Sequence, residues 1–218
     1  MRFFLVVLSS TLFGLLGSGC SSPGGDLALY SESNSVFLTG DWTTAVYATT
    51  NNDPNTADVY LTDLPRERVL SEGDLLAGAS GSVIHIHLFL VPKAGMTPIE
   101  ASACNMTVRQ VVLAGSGAAG LYGGGGFLQP DSRPGKEHFS GSIFDATLKL
   151  LRSSGGFPDL LDGCTMRGDF DAVRDEQAAR ALAARIEAIV ASMQIVDDPG
   201  VAPPDKAATA EAAPSEAP

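Results

Sequence analysis

The sequence predicts a mainly β, α+β protein in which one C-terminal helix packs on an antiparallel β-sandwich or on a single sheet. Short segments alternate apolar and polar residues, clusters of turn-forming residues separate them, and only the last long segment changes to helical spacing. Strands followed by one terminal helix favour a helix lying on a sheet.

The first predicted strands are short and cover residues 27–31 and 35–39. Two more, over 43–49 and 58–62, flank a run of turn-forming residues with the sequence Asn-Asn-Asp-Pro-Asn. Such a run favours a tight reversal of the chain, so we expect these two strands to form a hairpin.

The clearest predicted strand covers residues 82–91 and ends before a proline. Its apolar even-numbered residues share one face, whereas His85 and His87 lie on the other. A second strong strand is predicted over 107–114. The four glycines at 123–126 indicate that the strand after it is bulged or loosely paired.

Residues 138–151 and 164–173 alternate well, which is typical of antiparallel strands with one wet and one dry face. In the first of these strands, the side chains expected to face inward are Phe144, Ala146, Leu148 and Leu150.

The pattern changes to helical spacing at Asp175, which is a good N-cap residue. An apolar stripe follows, formed by Ala178, Leu182, Ile186, Ile189, Val190 and Met193. We therefore expect a helix over residues 176–193, packed on the sheet.

Residues 1–19 have the parts of an export signal. Arg2 supplies a positive charge, residues 3–16 are mainly apolar, and three small residues precede Cys20. The apolar segment is shorter than the roughly 20 residues that a membrane-spanning helix needs.

This segment resembles a bacterial lipoprotein signal. The resemblance implies cleavage before Cys20 and a lipid on its sulfur that anchors the protein in a membrane of the cell envelope. Ser21, where some lipoproteins carry an aspartate, favours the outer membrane, facing the periplasm. Residues 20–25 would then be a tether, 26–196 one globular domain, and the Ala-, Pro- and acid-rich 197–218 a disordered tail.

With Cys20 assigned to the lipid, Cys104 and Cys164 remain. Exported proteins usually pair such cysteines, so we expect a disulfide that closes a loop of about 60 residues and stabilises the fold by roughly 4 kcal/mol. A metal site is the alternative use of two cysteines, but these two have no CxxC spacing.

The net charge of −11 excludes electrostatic attraction to nucleic acid, and loss of Arg2 with the signal makes it more negative. The sequence has no basic patch and no second long apolar segment. We therefore expect no nucleic-acid partner and no transmembrane helix.

His85 and His87 are the strongest chemical signal in the chain. Two residues apart on a strand, they point to the same side and could share a metal ion, with His138 as a third ligand and Glu137 as a fourth. The alternative is two polar residues on the wet face of a half-buried strand.

Gly115, Gly117 and Gly120 form a GxGxxG pattern after a strand. A dinucleotide site needs a helix immediately afterwards, and the glycine-rich continuation cannot start a stable one. We therefore expect neither a nucleotide nor a cofactor. The glycines at 123–126 could instead allow a partner backbone to approach, or form a bulge or hairpin tip.

The leading prediction for function is a non-enzymatic binding or scaffolding module, anchored through Cys20 and contacting other envelope proteins. A metal-binding protein that uses His85 and His87 is the alternative. A further alternative is an envelope hydrolase, which would use surface carboxylates beside a cleft lined by aromatic rings; the candidates are Asp145, Asp169, Asp171, Trp42 and Tyr122.

Overall fold

The computed structural model describes residues 23–50, 53–71, 73, 78–93 and 103–196. In these ranges it has the strands β1 (Gly24–Gly25), β2 (Ala28–Ser31), β3 (Val36–Thr39), β4 (Thr44–Ala48), β5 (Ala57–Thr62), β6 (Ser80–Leu88), β7 (Met106–Ala114), β8 (Ala119–Pro130), β9 (His138–Ser154), β10 (Cys164–Arg174) and β11 (Gln194–Ile195). Its helices are α1 (Arg66–Leu70) and α2 (Glu176–Ala191).

The protein is mainly β, with one large mixed sheet and the C-terminal helix packed on it, as the single-sheet alternative predicted. The pairings are antiparallel except the one between β10 and β4. That parallel contact joins Val173 to Val46 and Arg174 to Tyr47, and it makes the sheet mixed.

The strands β4 to β10 form a closed ring, because β10 pairs with β9 on one edge and with β4 on the other. The edge of β10 that meets β4 also pairs with β1 and β2, and β3 continues the sheet from β2. Gly24 and Gly25, which were expected in the tether, are therefore part of the sheet.

The interior of the ring is filled by side chains from the inward faces of the strands. Tyr47, Tyr122 and Phe139 are among the largest, and each is less than 2% exposed. Trp42 is also buried and donates its indole N–H to the carbonyl of Leu27 at 3.0 Å, so it anchors the core.

A second apolar layer lies outside the ring, beneath α2. Asp175 caps the helix by accepting a hydrogen bond from the Ala178 N–H at 2.9 Å, and the predicted stripe, including Leu182 and Ile186, is buried against the sheet. The helix ends at Ala191, two residues earlier than predicted. Within the described ranges, neither helix has the length and hydrophobicity needed to cross a membrane.

A bulge in β9 corrects one sequence prediction. Between Ile143 and Ala146 the strand has one residue more than β8 and β10, which flank it. Side chains change face at this point, so Ile143 is buried and Phe144, expected inside, is 60% exposed.

Candidate functional site

The structure separates the three histidines that the sequence offered as metal ligands. His85 and His87 point outward from β6, whereas His138 opens β9. The sheet register runs from His138 through one residue each on β10, β4 and β5 to His85, which is four strand spacings, or roughly 19 Å along the sheet. His138 instead contacts Asp171, at 3.1 Å between Nδ1 and Oδ1.

Asp58 on β5 is the group that joins the other two histidines. Its Oδ1 lies 2.9 Å from His85 Nε2 and 2.8 Å from His87 Nδ1. Its Oδ2 accepts a hydrogen bond from the hydroxyl of Thr50 at 3.0 Å. The β5–β6 register explains this geometry, because Asp58 stands directly opposite His87 and two residues from the partner of His85.

Arg109 on β7 fixes the tautomer of His85. One of its terminal nitrogens lies 3.2 Å from His85 Nδ1 and the other 2.7 Å from a carboxylate oxygen of Glu187 on α2. Because a guanidinium only donates hydrogen bonds, Nδ1 of His85 must accept, and Nε2 must carry the proton donated to Asp58. We call Thr50, Asp58, His85, His87, Arg109 and Glu187 the Asp58 cluster.

The hydrogen bonds hold Asp58 in its charged form. Burial alone would raise its pKa, but hydrogen bonds from His85, His87 and Thr50 outweigh burial and lower the pKa from 3.8 to about 2. The His85 ring also stacks on Tyr60, with centroids 4.6 Å apart. Burial, followed by the nearby charge of Asp58, raises the pKa of Tyr60 to about 12.

The cluster presents one imidazole to solvent. The side chain of His85 is 11% exposed and that of His87 is 38% exposed. With Nδ1–H of His87 donated to Asp58, its Nε2 carries a lone pair that can accept a hydrogen bond. Chemically, the cluster is a rigidly oriented acceptor with a carboxylate behind it.

Within the described ranges, neither a metal site nor a nucleophile–base pair is complete. No three or more His, Cys, Asp or Glu side chains there could together hold a metal ion. No side-chain hydroxyl or thiol there hydrogen-bonds to the ring of His85 or His87, so the cluster contains no nucleophile–base pair.

The expected disulfide is absent, since both Cys104 and Cys164 are free. Cys164 pairs with β9, β9 pairs with β8, and Cys104 lies beyond β8, next to Gly125. Three strand spacings, about 14 Å along the sheet, separate the two residues, whereas a disulfide needs Cα atoms within about 7 Å. Burial, with help from Asp159 and Asp162, raises the pKa of the Cys164 thiol to about 11.

The glycine motifs have structural roles. Gly115 and Gly117 adopt positive φ in the turn between β7 and β8, with no helix after them. The glycines at 123–126 belong to β8 and let it approach its own neighbour β9. A Cβ on Gly124 would lie 1.8 Å from the carbonyl oxygen of Thr147.

The aromatic cleft expected for a hydrolase does not form, because both Trp42 and Tyr122 lie in the core. Two of the three surface carboxylates have other partners. Asp145 pairs with Arg167 at 2.9 Å, and Asp171 contacts His138 at 3.1 Å.

The lipidation site Cys20, the signal and the tail over 197–218 lie outside the described residues.

Of the groups in the Asp58 cluster, the sequence analysis singled out only the two histidines. The alternation in β5 placed Asp58 on the outward face, and this was the signal that could have found it once the β5–β6 register was known.

No protein-family model matches this chain, and no curated protein or solved structure does so either.

Proposed function

We propose that this protein is a lipid-anchored, non-enzymatic binding module of the bacterial cell envelope, and that the Asp58 cluster is the surface by which it recognises a partner. The observation that carries the proposal is the orientation of His87 by a charged, partly buried carboxylate. Five polar side chains hold that one exposed imidazole in place, directly or through one another, whereas a solvated surface histidine needs no such support.

Because side chains fill the interior of the ring of strands, a ligand would have to bind on its outside. The large side chains of Tyr47, Tyr122 and Phe139 occupy the centre, and each is buried. A ligand would therefore be held on an outer face, as in a protein–protein contact, rather than inside the ring.

The chemistry of the cluster favours a partner that donates hydrogen bonds. The fixed charges of the cluster are the carboxylates of Asp58 and Glu187 and the guanidinium of Arg109, which together leave one negative charge in excess. An ammonium or guanidinium group would meet an acceptor at His87 and a net negative field, which the −11 charge of the chain extends. A basic segment of another envelope protein fits this description.

The anchor is tested by the mass of the N-terminal peptide from membrane-extracted protein. The proposal expects residues 1–19 to be missing and Cys20 to carry acyl chains. An unmodified Cys20 would remove the anchored part of the proposal.

Recognition is tested by chemical crosslinking of intact cells followed by purification of the full chain, comparing wild type with His87→Ala. His138→Ala is the matched control, because it also removes an exposed histidine that contacts an aspartate. The proposal expects one discrete adduct that His87→Ala weakens at least several-fold and His138→Ala leaves intact. Equal adducts in all three proteins, or none in wild type, would contradict it.

A further inference from the structure

Three exposed aromatic residues lie together on the outer face, away from the Asp58 cluster. Phe37 on β3 is 64% exposed, Phe144 on β9 is 60% exposed and Tyr30 on β2 is 43% exposed. Tyr30 stands opposite Phe37, with ring centroids 6.4 Å apart. We call these three residues the aromatic patch.

Register places the patch across four neighbouring strands. Tyr30 pairs with Thr165 on β10, and Arg167, two residues further along that strand, points to the same side. Arg167 reaches β9, where it binds Asp145 next to Phe144 at 2.9 Å. The patch therefore runs from β3 through β2 and β10 to β9, a width of roughly 14 Å.

The charged pair beside the aromatic patch is balanced. Asp145 and Arg167 neutralise each other there, whereas the whole chain has a net charge of −11. A neutral aromatic surface with a paired charge suits the interfacial region of a bilayer, where aromatic rings bury their faces.

The short chain between Cys20 and the sheet limits how far the patch can lie from the anchor. Four peptide units separate Cys20 from Gly24, so that length of chain spans at most about 14 Å. Gly24 pairs with Asp171 on the same edge of β10 that holds β2. Tyr30 is six residues further along, roughly 20 Å in extended chain.

We propose that the aromatic patch lies against the lipid surface to which Cys20 anchors the protein. This inference rests on the proposed lipid anchor. The short connection keeps the β1–β2 side of the ring close to the bilayer, and the patch is the uncharged aromatic surface on that side. His87, the exposed side chain of the Asp58 cluster, then faces away from the membrane towards a partner, because β6 lies three strand spacings from β10 by way of β4 and four by way of β9.

Brominated acyl chains quench tryptophan emission on contact and so test the orientation. The lipidated full chain is reconstituted into phosphatidylethanolamine–phosphatidylglycerol vesicles with and without brominated chains. Phe37→Trp and Phe144→Trp place reporters in the patch, and the buried Trp42 of the wild type gives the background. Phe89→Trp is the matched control, because Phe89 is 42% exposed but follows β6, on the other side of the ring.

We expect quenching of the added emission to be several-fold greater at positions 37 and 144 than at 89. Equal quenching at all three positions, or none in protein whose Cys20 is shown by mass to be acylated, would overturn the orientation while leaving the anchor intact. Protection of the patch by a second copy, detected as dimers crosslinked through position 37, would also overturn it. An unmodified Cys20 would instead be a failure of the proposed function.

Discussion

Asp58→Asn is the substitution that most directly tests the electrostatics of the cluster. It keeps the size of the side chain and one acceptor oxygen but removes the charge that His85 and His87 hold in place. The pKa of Asp58 falls from 3.8 to about 2 on folding. That shift corresponds to about 2 kcal/mol of stability at neutral pH.

The sign of the pH dependence follows from the direction of the shift. A carboxyl whose pKa is lowered in the folded state stabilises the protein fully above its unfolded pKa, and this contribution is lost as the pH falls through the folded value. The cost of Asp58→Asn should therefore be constant above about pH 5, fall to roughly half near pH 3, and largely vanish near pH 2.

Urea unfolding of wild type and variant between pH 7 and pH 3 measures this difference, and thermal unfolding at pH 7 should show a midpoint lowered by roughly 4–8 °C. Asp171→Asn is the matched control, because the partner of Asp171 is the half-exposed His138 and this substitution should cost at most about 1 kcal/mol. The reasoning is refuted if the two variants cost the same at pH 7, or if the cost of Asp58→Asn does not shrink with acid.

Three further predictions concern the fold. Gly124→Ala should destabilise the domain by several kcal/mol, because its Cβ would meet the backbone of β9, whereas Gly163→Ala, with open space around it, should change the unfolding midpoint little; equal midpoints would contradict the close β8–β9 approach. A thiol reagent should modify the exposed Cys104 in the native protein and the buried Cys164 only after unfolding; mass spectrometry that finds the two joined would refute the free-thiol geometry. Asp175→Ala should cost about 1 kcal/mol of stability in urea unfolding through loss of the α2 cap, and an unchanged midpoint would count against that hydrogen bond.

Local patterns in the sequence were enough to predict most of the elements. The alternation in β6 separated Ile84 and Ile86, in the core, from His85 and His87, on the outside. Helical spacing together with Asp175 located α2. Both features depend on side chains close in sequence, where periodicity decides which face is buried.

The closure of the ring could not be predicted in the same way. It depends on the parallel contact of β10 with β4, which lie more than a hundred residues apart. Local alternation says nothing about which strands will pair across such a distance. The bulge that exposes Phe144 was missed for a related reason, because an extra residue in one strand is defined only by its neighbours.

Only part of the candidate site could be predicted from the sequence, for the same physical reason. His85 and His87 share a strand, so their common face follows from the period of two. Asp58 and Arg109 lie more than twenty residues away from His85 on either side, and only the registers of β5 and β7 bring them to it. The disulfide prediction failed because an oxidising compartment favours the pairing of cysteines but does not determine where they lie in the sheet.

Photocrosslinking in living cells tests whether the Asp58 cluster is the surface that contacts a partner. A photoreactive amino acid replaces His87 in the full chain, and a second protein carries it at the control position, His138. Because that replacement itself removes the imidazole, a third protein keeps His87 and carries the photoreactive residue at the neighbouring exposed position Thr107. We expect a discrete adduct with an envelope protein from position 107, a weaker one from 87 and none from 138. Equal labelling from all three positions, or no discrete adduct from 107, would show that the cluster is not the contact surface.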